Sequence, residues 1–225
     1  MILSPEEWGI VRLSLLVGGA ACAGTLPVAF ALAWVLARTR FPGRVLLDAV
    51  VHLPLVVPPV VTGWVLLLAF APAGPLGALS GGVLFRWTGA AIASGVMALP
   101  LMVRGIRLGL EGVDRRLEQA ARTLGAPRAR VFRTITVPLA MPGVLAALVL
   151  GFARSVGEFG ATITFVSNVA GETETLPLAI YAALQRPGGE ATVWRLAAVS
   201  VLLSLLALIV SEALARRSAR GVHVL

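Results

Sequence analysis

The sequence predicts an all-α polytopic membrane protein with about five transmembrane helices, its N-terminus outside and its C-terminus in the cytoplasm. Three observations point there. Hydrophobic residues make up 58% of the 225 and charged residues 13%, with a mean hydropathy of +0.91, a composition of membrane chains rather than soluble ones. Five apolar stretches can each be drawn out to a bilayer crossing. The basic residues, all of them arginine, gather on one side of those stretches, as the positive-inside rule requires. One transmembrane domain over residues 1–225 is expected.

Composition also excludes several chemistries. Without a single lysine the chain has no phosphate-binding loop of the ATPase kind, which needs a Lys to reach the terminal phosphates. Cys22, alone in AACAG, offers no disulfide and no CxxC pair, and two distant histidines do not make a zinc site. Cys22 is read as a small packing residue. No Ser/His/Asp, metal-ligand or paired-acid constellation falls at useful spacing within the spans, so neither an enzyme nor a cofactor is expected.

Residues 13–37 carry no charge and measure about 37 Å as helix, enough to cross a core of about 30 Å with tilt. The preceding MILSPEEWGIVRLS has no basic n-region, so this run is expected to be an uncleaved first span. Gly18, Gly19, Ala20, Ala21, Ala23 and Gly24 give it a small-residue face that allows close packing in lipid. The second span, 46–71, holds Asp48, His52, Pro54, Pro58 and Pro59. Proline inside a span frees carbonyls, which predicts either a kinked, pathway-lining helix or a kink that only shapes packing. A Gly/Pro-rich connector follows.

The third span, 88–108, has only 16 uncharged residues before Arg104 and needs Arg104 and Arg107 to snorkel from its end. The fourth span covers 135–153. Residues 155–190 are predicted as an outer loop with a short embedded helix at 176–184, too short to cross. The fifth span covers 192–214.

With the N-terminus outside, fourteen of the nineteen arginines lie inside: Arg38, Arg40 and Arg44, the eight from Arg104 to Arg133, and Arg216, Arg217 and Arg220. This bias accounts for the +8 charge as membrane topology, without a nucleic-acid partner.

The loop 112–134 is the one long polar segment and carries six arginines. Leu110, Val113, Leu117, Ala120, Ala121 and Leu124 recur at helical spacing. Asp114 suits an N-cap, Gly125 a left-handed stop and Pro127 the first position of a second helix with Arg128, Arg130 and Arg133. The chemistry fits two roles: docking on a partner's groove, where small residues allow close approach, or lying on anionic headgroups of membrane lipid.

EQAARTLGAPRARVFRTITVP resembles the EAA loop of ABC importer permeases, whose pattern is Glu-Ala-Ala, three residues, Gly, nine residues, Ile, one residue, Leu-Pro. Ala120, Ala121, Gly125, Ile135 and Pro138 fall on it in register. The Glu position is Gln119, with Glu118 one residue early, and the Leu position is Val137. The resemblance implies the ABC importer permease fold and a loop that couples the spans to a separate ABC ATPase subunit, with Glu118 or Gln119 making the polar contact.

The segments FPGRVLLDAVVHLPLVVPPVVTGWVLL, GVDRRLEQAARTLGA and FARSVGEFGATITFVSNVAGETETLP resemble molybdate importer permeases and cover most of the chain. GEFGAT is shared more loosely with sulfate and tungstate permeases; ITFVSN and GETETLP favour molybdate. This implies a homodimer around a central path and an extracytoplasmic oxyanion-binding protein that delivers the anion. Candidate gate or pathway residues are Pro58, Pro59, Arg154, Glu158 and Phe159. Arg154 and Glu158 stand at i and i+4, on one helical face, and are read as a gate or packing pair rather than a dianion site. Asp48 is the best carboxylate for a rival mechanism, an ion-coupled secondary transporter, though a helix-end position explains it more simply.

Overall fold

The structure, a computed structural model, describes residues 3–221, with side chains through Ala213. Arg216, Arg217 and Arg220 of the inner arginine set lie outside the described side chains, and His223 outside the described residues. Among the described residues every regular element is helical.

Helix α1 (Pro5–Arg38) starts well before the uncharged stretch, because Ser4 and Glu7 form a reciprocal capping box with Pro5 in the first turn. Gly18, Ala21 and Cys22 are buried on it, whereas Gly19, Ala23 and Gly24 face outward. The small-residue face is therefore narrower than the sequence predicts. The Cys22 thiol donates to the Leu148 carbonyl at 3.8 Å, which fits a packing residue.

The second span is not one kinked helix. It divides into α2 (Arg44–Val56) and α3 (Pro59–Phe70), bent by 110°. Pro58 and Pro59 together remove two amide donors, and a proline disfavours helical backbone in the residue before it. Val57 and Pro58 accordingly have ψ of 135° and 133°. Pro54, a single proline, is carried inside α2.

Helix α4 (Trp87–Glu111) runs 25 residues, covers the expected 88–108 and carries Arg104 and Arg107 in its last turns. It is the most enclosed of the long helices, with 67% of its most apolar window buried. It packs along α1 and α7 at the centre of the molecule. The loop that follows holds α5 (Arg115–Thr123) and the single turn α6 (Arg128–Val131), then a π-helical turn over Phe132–Thr136, then α7 (Val137–Val156). The stretch Arg128–Val156 is one continuous helical rod, so the expected loop helix and the fourth span merge. The expected outer loop contains α8 (Gly160–Val166) and α9 (Leu176–Leu184) before α10 (Glu190–Gly221).

Among the described residues four helices are long and apolar enough to cross a membrane, and the bent α2–α3 pair makes a fifth if it counts as one span. Backbone proximity holds the centre together. A Cβ on Gly143 would lie 2.7 Å from the Gly109 Cα, and one on Gly105 2.7 Å from the Ala147 Cβ. Gly105 and Gly109 on α4 face Gly143 and Ala147 on α7, two small-xxx-small pairs of the kind that lets helices touch in lipid.

Candidate functional site

The loop between α4 and α7 is built by local rules. The Asp114 carboxylate accepts the Arg116 amide at 2.8 Å and starts α5. Gly125, at φ +84°, ends it in the left-handed region that glycine enters without strain. The Ala126 amide then closes the turn on the Ala121 carbonyl at 3.0 Å, and Pro127 is the N-cap of α6 rather than its first residue.

Glu118 points into the molecule. Arg38 donates to both of its carboxylate oxygens, at 3.0 and 3.1 Å, and the Thr136 hydroxyl donates to one of them at 2.6 Å. The Arg38 and Glu118 side chains are only 10% and 18% exposed. Arg38 also donates to the Leu110 carbonyl at 3.0 Å and lies 5.7 Å from the centre of the Trp34 ring. Trp34 in turn meets Phe132 edge-on at 5.1 Å.

The remainder of the loop surface looks outward. Gln119, Ala120 and Gly125 are exposed, and Ala121 and Ile135 are half-buried. The apolar stripe splits in two: Leu110 and Val113 are buried, while Leu117 and Leu124 are 44% and 89% exposed. Pro138, at the start of α7, is exposed as well. A cavity of about 650 Å³ opens between the end of α1, α5 and the π turn, lined by Arg38, Glu118, Gln119 and Thr136 among others.

At the opposite end of α7 the candidate gate residues come together. The Glu158 carboxylate pairs with Arg154 at 2.6 Å and accepts the Ala161 amide at 2.8 Å, capping the start of α8. Glu158 is buried, while Arg154 and Phe159 are partly exposed. The Phe159 ring lies 5.0 Å from Tyr181 on α9. Pro59 sits directly against Gly160, where an added Cβ would stand 2.8 Å from the Pro59 Cβ. One on Gly63 would stand 2.5 Å from the Ala161 carbonyl oxygen. The break between α2 and α3 thus faces the break between α7 and α8, with backbone against backbone.

Asp48 is not an isolated intramembrane carboxylate. It pairs with Arg107 at 3.3 Å, which also holds Glu111 at 2.8 Å, and it lies 3.4 Å from the His52 ring. No group of three or more potential metal ligands occurs among the described residues.

Residues 26–220 match the family described as the binding-protein-dependent transport system inner membrane component. The chain belongs to that family. Its relatives within the family include the molybdenum transport system permease protein ModB of Escherichia coli K12, 54% identical over 223 residues and covering 97% of both chains. ModB of Haemophilus influenzae is 54% identical over 218 residues, or 94% of each. The sulfate transport system permease protein CysT of Salmonella typhimurium is 35% identical over 90% of this chain and 76% of its own.

Solved ABC transporters share the fold at low identity. A chain of the MetNI methionine ABC transporter superposes with a TM-score of 0.72 at 18% identity, over 96% of this chain and 99% of its own. A chain of a bacterial alginate ABC importer gives 0.70 at 18%, over 97% and 80%. This inner membrane component is thus an all-helical transport permease whose relatives are transport proteins rather than enzymes.

The site also contains residues that sequence reasoning missed. Arg38 reads in the sequence as one of three inner arginines before the second span, Phe132 as part of the polar loop and Thr136 as part of the fourth span. Only the fold brings them to Glu118 and Trp34.

Proposed function

We propose that the chain is the membrane-spanning subunit of an ATP-driven molybdate importer. Two copies form the translocation path, a separate ATPase subunit docks on the cytoplasmic loop, and an extracytoplasmic oxyanion-binding protein delivers the anion. The observation that carries this reading is the outward face of α5. Gln119, Ala120 and Gly125 are exposed beside Leu117 and Leu124, while Glu118 is engaged within the chain. An apolar, small-residue helical face on a polar loop fits a groove in a partner.

Gln119 is then the polar group presented to the ATPase, and Glu118 is not. ATP hydrolysis belongs to that partner, since this chain has no lysine and so no phosphate-binding loop. The N-terminus lies outside and the arginine-rich loop inside, near the headgroups of the inner leaflet, and no nucleic acid is engaged.

The anion class rests on the ModB and CysT likenesses, and the higher identity favours molybdate over sulfate. Tungstate, a dianion of nearly the same size, is expected to compete. Arg154 is neutralised by Glu158, so the pair serves as packing at the gate rather than as a dianion site. Pro58, Pro59 and Phe159 line the same junction. A path that releases its ion needs weak binding.

Co-purification tests the reading. The tagged chain is expected to bring down a nucleotide-binding ATPase subunit from membranes of its own organism. Uptake of molybdate that persists in cells lacking every such ATPase would instead favour a secondary transporter.

A further inference from the structure

We propose that Glu118 is an internal node that passes movement of α5 to two transmembrane helices at once, to α1 through Arg38 and to α7 through Thr136. The inference rests on the reading of α5 as an ATPase-docked helix and names how its motion leaves it.

A docking helix of nine residues joined by short turns would simply tilt under a partner's push unless something ties it to the spans. Among the side chains described on α5, Glu118 makes the ion pair to the spans, while Arg115 donates only to the Ala37 carbonyl of α1, at 3.2 Å. Arg38 holds it at both oxygens, at 3.0 and 3.1 Å, a bidentate geometry that fixes orientation as well as distance. The Thr136 hydroxyl reaches the same carboxylate at 2.6 Å. Arg38 is the last residue of α1, and Thr136 is the last of the π-helical turn that leads into α7.

Both ties are stiffened from behind. Arg38 is also held by the Leu110 carbonyl at the end of α4, at 3.0 Å. Trp34, one turn earlier on α1, packs edge-on against Phe132 of the π turn at 5.1 Å. A π turn inserts an extra residue into the helical ladder and often marks a functional site. Here it is the segment that Glu118 holds, and the one through which displacement of the loop would enter α7. α4 and α7 meet backbone to backbone at Gly109 and Gly143, so a push on α7 is carried into the centre of the molecule.

Arg38 and Thr136 are positioning residues on this account, since each acts through the Glu118 carboxylate. The test uses the complete transporter in proteoliposomes with loaded binding protein inside or outside as required, and compares Arg38→Ala, Thr136→Val, Thr136→Ser and the exchange Arg38→Glu with Glu118→Arg. The ATPase subunit should still co-purify with Arg38→Ala and Thr136→Val and still hydrolyse ATP. Molybdate taken up per ATP should fall about tenfold for Arg38→Ala and about threefold for Thr136→Val.

Thr136→Ser, which keeps the hydroxyl, should restore wild-type coupling, and the charge exchange should recover part of what Arg38→Ala loses. Should Arg38→Ala fail to accumulate in membranes, Thr136→Val against Thr136→Ser carries the test. Unchanged uptake per ATP would overturn the proposal. Loss of the ATPase from the variants would also overturn it, by showing that the node only shapes the docking face. An unmodified chain that recruits no ATPase and transports without ATP would sink the underlying reading as well.

Discussion

The Glu158 carboxylate meets the Arg154 guanidinium at 2.6 Å and accepts the Ala161 amide at 2.8 Å. One buried side chain therefore neutralises a cation at the end of α7 and caps the start of α8. Removing Arg154 leaves a carboxylate buried without its counter-charge, a defect that costs about 3–5 kcal/mol. Arg154→Ala should lower the thermal unfolding midpoint of the purified chain by several degrees and reduce molybdate-dependent growth. If stability and growth are both unchanged, the pair holds nothing together.

The α4–α7 crossing should be intolerant of added volume. Gly143 has the Gly109 Cα at 2.7 Å from where its Cβ would be, and backbone cannot move aside as a flexible side-chain end can. Gly143→Val is expected to destabilise by more than the 1–3 kcal/mol typical of overpacking and to lower the amount of folded chain in membranes several-fold. Gly19→Val, on an open part of α1, is the control and should accumulate normally.

The docking face should fail without unfolding the chain. Ala120→Arg and Leu124→Asp alter exposed positions, so detergent-extracted protein should elute as the wild type does while the ATPase subunit is lost. Gly125→Val adds left-handed strain of about 1–2 kcal/mol at φ +84°, and should weaken docking by displacing the turn. Retention of the ATPase in all three would move the docking site elsewhere.

Orientation can be read directly. A phosphatase or fluorescent reporter fused after the last residue should report the cytoplasmic side, and a cysteine introduced for Arg130 should resist an impermeant thiol reagent in intact cells. Labelling from outside would invert the topology and remove the coupling loop from the reach of ATP.

The large elements were legible because their physics is local. Apolar length marks α1, α4, α7 and α10, Asp114 and Gly125 mark helix ends, and the nine-residue helix at 176–184 appears as expected, whereas the Ser4–Glu7 box that starts α1 went unread. The break at Val57–Pro58 was readable only as a kink, since two adjacent prolines specify lost hydrogen bonds but not the 110° that packing against α8 accompanies. Helix α8 escaped notice because seven residues give too little periodicity to distinguish from a loop. The loop's helix, its start at Asp114 and its stop at Gly125 follow from spacing, whereas the inward turn of Glu118 does not. It depends on Arg38, 80 positions away, and no local pattern links the two.

The central claim is that this chain conducts molybdate only when an ATPase drives it. The decisive measurement is uptake of labelled molybdate into proteoliposomes containing the chain, its co-purifying ATPase subunit and the oxyanion-binding protein, with and without ATP. The account predicts uptake that needs all three proteins and ATP, is competed by tungstate more strongly than by sulfate, and is abolished by Leu124→Asp. Uptake by the chain alone under an ion gradient, or none with the complete set and ATP, would contradict it.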